Sequence, residues 1–341
     1  MPEGLLMKED HPPSSALTKK PAITALVAPD AIAARAEAAL ARAETYARTA
    51  DAANTLRAYR SDWIHYASWC EAHGFVCAPA APETVGAYLA DMATTLSPAT
   101  LRRRLAAIGK MHRYNTLPWD PADQAIQRPL RGILRAHAQA PRQARALSLD
   151  HLRALLQTCD LSARGRRDRL LLLLGFSGAL RRSEIVDLQV TDLLVTQTGI
   201  MLTISRSKTD ATGKGATLGL PRGRTPQTCP VTAFESWQAV ALRKAGPLFR
   251  RISVAGRVAE TALRPYAVQR ILTRRAEAAG IPLDQLSPHA LRVGFITEAY
   301  ERGIRDEDIM AHTRHRDLRT MRGYVRRAGL ISESPAGLLG L

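Results

Sequence analysis

Along residues 54–73 the apolar positions Leu56, Tyr59, Trp63, Ile64, Tyr66 and Ala67 recur at close to helical spacing, which predicts a helix with one buried face. Pro82-Glu83 opens a second helix reaching about Met92. Ser97-Pro98 places an N-capping hydroxyl before a first-turn proline and opens a third, to about Tyr114. Pro121 begins a fourth that runs to about His137. Upstream, residues 31–50 are rich in Ala, Glu and Arg and form a helix suited to packing on a neighbouring protomer. The first 28 residues, with Pro2, Pro12, Pro13, Ser14, Ser15 and Pro21, are expected to be a disordered tail. Four or five helices joined by short loops predict a small bundle over 29–137.

Residues 138–147 lose the apolar periodicity and mark a linker. Beyond it, Ser148-Leu149-Asp150 caps a helix to about Cys159, and the segment 166–174 leads to Arg181. Residues 192–206 alternate apolar and polar positions around Gly199, as a hairpin does, and 216–220 reads as the returning strand. Helices are expected at 231–244, 265–279, 288–302 and 306–311, and Asp317 is placed to cap a short one that carries Tyr324. A chain of 341 residues exceeds the size at which single cores stop growing. The pattern therefore predicts a mainly α protein of two domains. An N-terminal bundle precedes a mostly helical domain with a small antiparallel sheet over 148–328, and an apolar tail over 329–341 carries Leu330, Ile331, Leu338, Leu339 and Leu341.

Charge narrows the partners. Lys and Arg number 48 against 31 Asp and Glu, a formal +17, which favours salt-dependent binding to phosphate backbones. No apolar run approaches the length of a membrane span, the basic residues are not confined to one amphipathic segment, and no secretory signal opens the chain, so a cytoplasmic location is expected. Cys70, Cys77, Cys159 and Cys229 have neither C-x-x-C nor zinc-ligand spacing and read as reduced thiols. In the bundle, Arg102, Arg103, Arg104, Lys110, Arg113, Arg128, Arg131 and Arg135 outnumber Asp120 and Asp123. Alone that excess reads as a solvated face, but beside the candidate chemistry below DNA-backbone contact is the better reading, with Arg102, Arg103, Arg104, Lys110, Arg113 and Arg131 as the expected contacts.

Candidate chemistry lies in four segments: Gly178–Glu184 around Arg181, Ser205–Thr209 around Lys208, Pro288–Arg292 with His289 and Arg292, and His315–Tyr324. Taken singly, each has an ordinary structural reading as a surface charge, a helical i, i+3 pair or a packed aromatic. Together their types suit attack on a phosphodiester. Two guanidiniums hold the anion bidentately, histidines bond its oxygens or handle a phenolic proton, and a lysine protonates the leaving oxygen. A Tyr phenol with its ordinary pKa of about 10 needs such help to act as a nucleophile. No step calls for a metal or cofactor, because the arginines serve as the charge clamp.

The order Arg181, Lys208, His289-x-x-Arg292, then His315 nine residues before Tyr324, resembles the tyrosine recombinase (phage integrase) family, and the overall length and motif positions look most like its Cre-like site-specific recombinases. The resemblance implies a core-binding (SAM-like) helical domain that grips one side of the duplex, and a catalytic domain that forms a covalent 3′-phosphotyrosine. It further implies inverted-repeat sites in double-stranded DNA, with a dimer per site and a homotetramer in the synapse. Arg181 is preferred to Arg182 because Glu184 lies three residues on, matching Arg-x-x-Glu; Glu184 then orients an active-site cation or caps local structure. Arg314 stands where the family commonly has Gly, His312 is a rival to His315, and Lys214 is a rival to Lys208. A type IB topoisomerase, with a similar residue set, and a DNA-binding regulator without chemistry are the alternatives. The surviving polar slots count against the regulator, and the helical N-terminal domain and His-x-x-Arg spacing against the topoisomerase.

Overall fold

The computed structural model describes residues 53–137, 146–205, 215–242, 244–282, 286 and 289–325, with positions 37–39, 41, 42 and 45 of an upstream helix. The chain divides into two compact units, Met1–Ala140 and Pro141–Leu341. Most of the helix expected over 31–50, residues 138–145 of the linker, Lys208, Lys214 and the tail over 329–341 lie outside the described residues.

The first unit contains α1 (Ala53–His73), α2 (Pro82–Met92), α3 (Pro98–Tyr114) and α4 (Gln124–Ala136). Its core is built from Tyr66, Trp69, Val85, Tyr88, Leu101, Ile108, Ile126 and Ile133 with their neighbours. Ser97 caps α3 by accepting from the Thr100 N–H. The fourth helix starts at Gln124 instead of the expected Pro121. Asp120 takes the Ala122 N–H, and Asp123 caps the helix by accepting from Ala125 N–H at 2.7 Å. Pro129 inside α4 has no N–H to give the Ala125 carbonyl one turn earlier. Gly86 of α2 approaches that same carbonyl so closely that an added Cβ would sit 2.2 Å from its oxygen.

In the second unit, α5 (Leu149–Gln157) and α6 (Ala163–Ser177) are capped by Ser148 and Ser162. Leu170–Leu174 of α6 are buried on every side, so this helix is the axis of the core. After α7 (Arg182–Asp187) comes an antiparallel meander of β1 (Leu193–Val195), β2 (Gly199–Ile204) and β3 (Ala216–Pro221), with Leu193 opposite Leu202 and Ile200 opposite Leu220. Ile200, Leu202 and Ile204 face inward while Met201 and Thr203 face out, the alternation of a half-buried strand. Then follow α8 (Pro230–Ala241), a hairpin of β4 (Arg250–Ile252) and β5 (Val258–Ala262), α9 (Pro265–Ala278), α10 (His289–Glu301), α11 (Asp306–Thr313) and α12 (Leu318–Val325).

Three features differ from the sequence reading. The six-residue α7 is too short to show a period, and β4–β5 has too few apolar residues to show alternation. The eighth helix stops at Ala241, short of Lys244, where Leu242 turns left-handed with φ 51°. Asp168, fully buried on α6, accepts from Arg167, Arg274 and Arg275 and so ties α6 to α9. Among the described residues no helix is long and apolar enough to cross a membrane.

Candidate active site

The turn after α6 sets the site. Gly178 ends the helix and Ala179 takes φ 45°, which swings Arg181 to the N-terminus of α7. Glu184, in the first turn of α7, accepts from the Arg181 backbone N–H at 2.9 Å and from its guanidinium at 2.6 Å. Arg182 points outward and is exposed. Arg292 lies on α10, 2 % exposed, with Nη1 donating to the Ala179 carbonyl at 2.7 Å and Nη2 to the Thr313 carbonyl. His289, at the first position of α10, is exposed, so the two members of His-x-x-Arg occupy different environments.

His315 follows α11. The Thr313 hydroxyl donates to the Ile309 carbonyl, so its oxygen accepts from His315 Nδ1–H at 2.6 Å. This fixes the tautomer and leaves the lone pair on Nε2, with Arg292 Nη2 3.1 Å from Nε2 and 3.3 Å from Nδ1. The rival His312 is engaged elsewhere: it stacks on Phe295 and bonds the Ser177 carbonyl through Nε2 at 2.7 Å. Asp317 accepts from Thr320 N–H at 2.8 Å and from Arg319 N–H, capping α12. Met321, fully buried, packs α12 on Ile296, Ala299 and Ile309, and Tyr324 joins the edge of that cluster. The Tyr324 ring stands 6.0 Å from the His315 ring, centre to centre.

Arg314, to which the sequence reading gave no role, completes the arrangement. Its guanidinium donates to Glu184 at 2.9 Å and to the carbonyls of Gly178, Ala179 and His312. Three guanidiniums, of Arg181, Arg292 and Arg314, therefore gather around one carboxylate, an excess of two positive charges in a largely buried setting. The titrations follow from this field. Burial, then Arg181 and Arg314, push Arg292 down to about 9, which still leaves it cationic at neutral pH. Burial, then Arg292, Arg181 and Arg314, hold His315 at about 4, so it is neutral. Burial would raise Glu184, yet Arg314 and Arg181 together lower it below the usual carboxylate range.

The structure thus brings Arg181, Glu184, Arg292, His315 and Tyr324 together. Lys208 falls outside the described residues. In the bundle, one expected DNA contact is corrected. Arg104 is buried, donating to the Tyr88 hydroxyl and pairing with His65 and Asp62, because it closes the polar gap between α1, α2 and α3. Arg103 also clasps Asp62, through Nε at 2.7 Å, but remains half exposed, and Lys110 lies over the Tyr114 ring. Arg102, Arg113, Arg128, Arg131 and Arg135 are exposed.

Comparison with known proteins points to one family. The model of the Phage integrase family matches residues 145–329, more than half of the chain. An integrase/recombinase XerD homolog of Selenomonas ruminantium is 31 % identical over 290 residues, covering 82 % of this chain and 84 % of that protein. Tyrosine recombinase XerD of Caulobacter vibrioides is 30 % identical over 288 residues, covering 82 % and 88 %. The fold is similar to that of XerH recombinase in a post-cleavage complex with its difH substrate (TM-score 0.55, 18 % identity, 74 % and 72 % of the two chains). It is also similar to lambda integrase as a tetramer on a Holliday junction (TM-score 0.56, 17 % identity, 85 % and 77 %). The chain belongs to the phage integrase family of tyrosine recombinases: it is a site-specific DNA recombinase, an enzyme that cleaves and rejoins DNA strands.

Proposed function

We propose that Tyr324 makes the transient covalent bond of strand exchange, with a DNA 3′ phosphate held by Arg181 and Arg292. The carrying observation is the cluster of three guanidiniums beside a neutral histidine and a tyrosine. Tyr324 Oη attacks phosphorus, the bond from phosphorus to O5′ breaks, and the added charge on the non-bridging oxygens is met by the guanidiniums. Lys208 gives the proton to O5′, releasing a 5′ hydroxyl. His315, with Nε2 as acceptor, receives the phenolic proton, and His289 bonds a phosphate oxygen. The phosphate itself offsets the cations that hold His315 at about 4, so the base strengthens only once DNA is seated. Attack by the partner strand's 5′ hydroxyl reverses the step and completes the exchange. No metal takes part in this scheme.

The exposed Arg102, Arg113 and Arg131, with Arg103 and Lys110 beside them, are assigned to the DNA backbone. One tyrosine per protomer cuts one strand, and recombining two duplexes takes four cuts. Two protomers per inverted-repeat site and a tetramer in the synapse follow, as the lambda integrase tetramer on its Holliday junction also suggests. A DNA substrate of this kind places the protein in the cytoplasm. Tyr324→Phe tests the central role. On a nicked suicide substrate the variant binds DNA with unchanged affinity and traps no adduct; an adduct that persists in the variant overturns the assignment.

A further inference from the structure

Arg314 holds a backbone conformation that costs any residue with a side chain: φ 59°, the left-handed region that glycine adopts freely. Arginine is retained there with its side chain almost fully enclosed, 9 % exposed, and spread over four acceptors. A left-handed arginine whose two terminal nitrogens reach four acceptors points to a task for that side chain.

The contacts define the task. Glu184 Oε2 accepts both from the Arg181 backbone and from Arg314 Nη2, while Oε1 takes the Arg181 guanidinium. The Ala179 carbonyl accepts from Arg292 Nη1 and from Arg314 Nη2. Arg314 is therefore the one side chain among the described residues shown bonding both the carboxylate that orients Arg181 and the carbonyl that orients Arg292. Without it, Arg181 and Glu184 form a pair of zero net charge, and the site keeps the excess of Arg292 alone. We propose that Arg314 is a positioning residue, which locks Glu184 and the 178–179 turn so that Arg181 and Arg292 face one phosphate. This rests on the reading of Tyr324 as nucleophile.

The test is Arg314→Gly, which relieves the backbone while removing the buried contact to Glu184, with cooperative thermal melting and retained DNA binding as the check that it folds. Single-turnover adduct formation on the suicide substrate should fall roughly ten- to a hundredfold, the scale of a displaced catalytic group. DNA affinity should stay within about threefold. Arg314→Lys, which keeps a charge but cannot span the acceptors, should recover part of the loss. His315 gives a readout that cleavage does not enter. It is faced by Arg292 of α10, Arg181 ahead of α7, Arg314 and Thr313 at the end of α11, and Asp317 and Tyr324 of α12. Removing one of the cations that lower it should raise its titration midpoint by NMR in the free protein. Cleavage at the wild-type rate in Arg314→Gly, with an unmoved His315 midpoint, overturns the proposal while leaving Tyr324 standing. Absence of any adduct from the wild-type protein would instead refute the nucleophile reading.

Discussion

At the residue scale the site is a problem of charge. Three guanidiniums, of Arg181, Arg292 and Arg314, lie about the Glu184 carboxylate in a largely buried setting, where an anion is met by preorganised donors. Most of this was legible in the sequence. Arg181 stands three residues before Glu184, His289 three before Arg292 and His315 nine before Tyr324, and the chain shows those short spacings whatever the tertiary contacts. Arg314 was not legible, since its work depends on Glu184 and Ala179, more than a hundred residues away in the chain. His315 is preferred to its rival His312 by the nine-residue spacing to Tyr324, and in the structure His312 bonds the Ser177 carbonyl while His315 bonds the Thr313 hydroxyl. Lys208 is assigned as general acid, and a leaving group that needs no proton tests it. Lys208→Ala should cleave a substrate with a 5′-bridging phosphorothioate at near wild-type rate while failing on ordinary DNA, and Arg292→Ala should fail on both. Rescue of Lys214→Ala in place of Lys208→Ala would move the role to Lys214.

At the element scale, helix starts were legible wherever a Ser or Asp cap precedes the apolar period, as at Ser97, Ser148 and Asp317. They misled where two Asp compete for the turn, as at Asp120 and Asp123. A basic helix face is harder to read, because sequence counts arginines without saying which ones the core consumes. On α3, Arg102 and Arg104 differ by two positions, which on a helix places them on different faces. Arg104→Ala should destabilise the first unit by roughly 3 kcal/mol, since it leaves the buried Asp62 and Tyr88 short of a partner. Chemical denaturation measures it. Arg102→Ala and Arg131→Ala should leave stability unchanged and weaken DNA binding, each lowering the salt slope of log K by about 1. A salt titration of binding checks them, and equal slopes in variant and wild type would remove these residues from the interface.

At the scale of the whole molecule, the division into two units and the mostly helical second unit follow from the length of the chain and the spacing of its apolar residues. For assembly we propose a role for the C-terminal tail, which lies beyond the described residues. The tail carries Leu330, Ile331, Leu338, Leu339 and Leu341, apolar residues after the last helix of the site, and is assigned to dock on a neighbouring protomer. Truncation after Ala328 should leave binding to a half-site intact and abolish cooperative occupancy of a full site in gel-shift titrations. Undiminished cooperativity would return the tail to its own domain. All of these expectations stand on one covalent bond, and peptide mapping of the adduct trapped on a nicked substrate examines that bond directly. The account predicts DNA joined through its 3′ phosphate to Tyr324, with a free 5′ hydroxyl on the released strand; attachment at another residue, or through a 5′ phosphate, would contradict it.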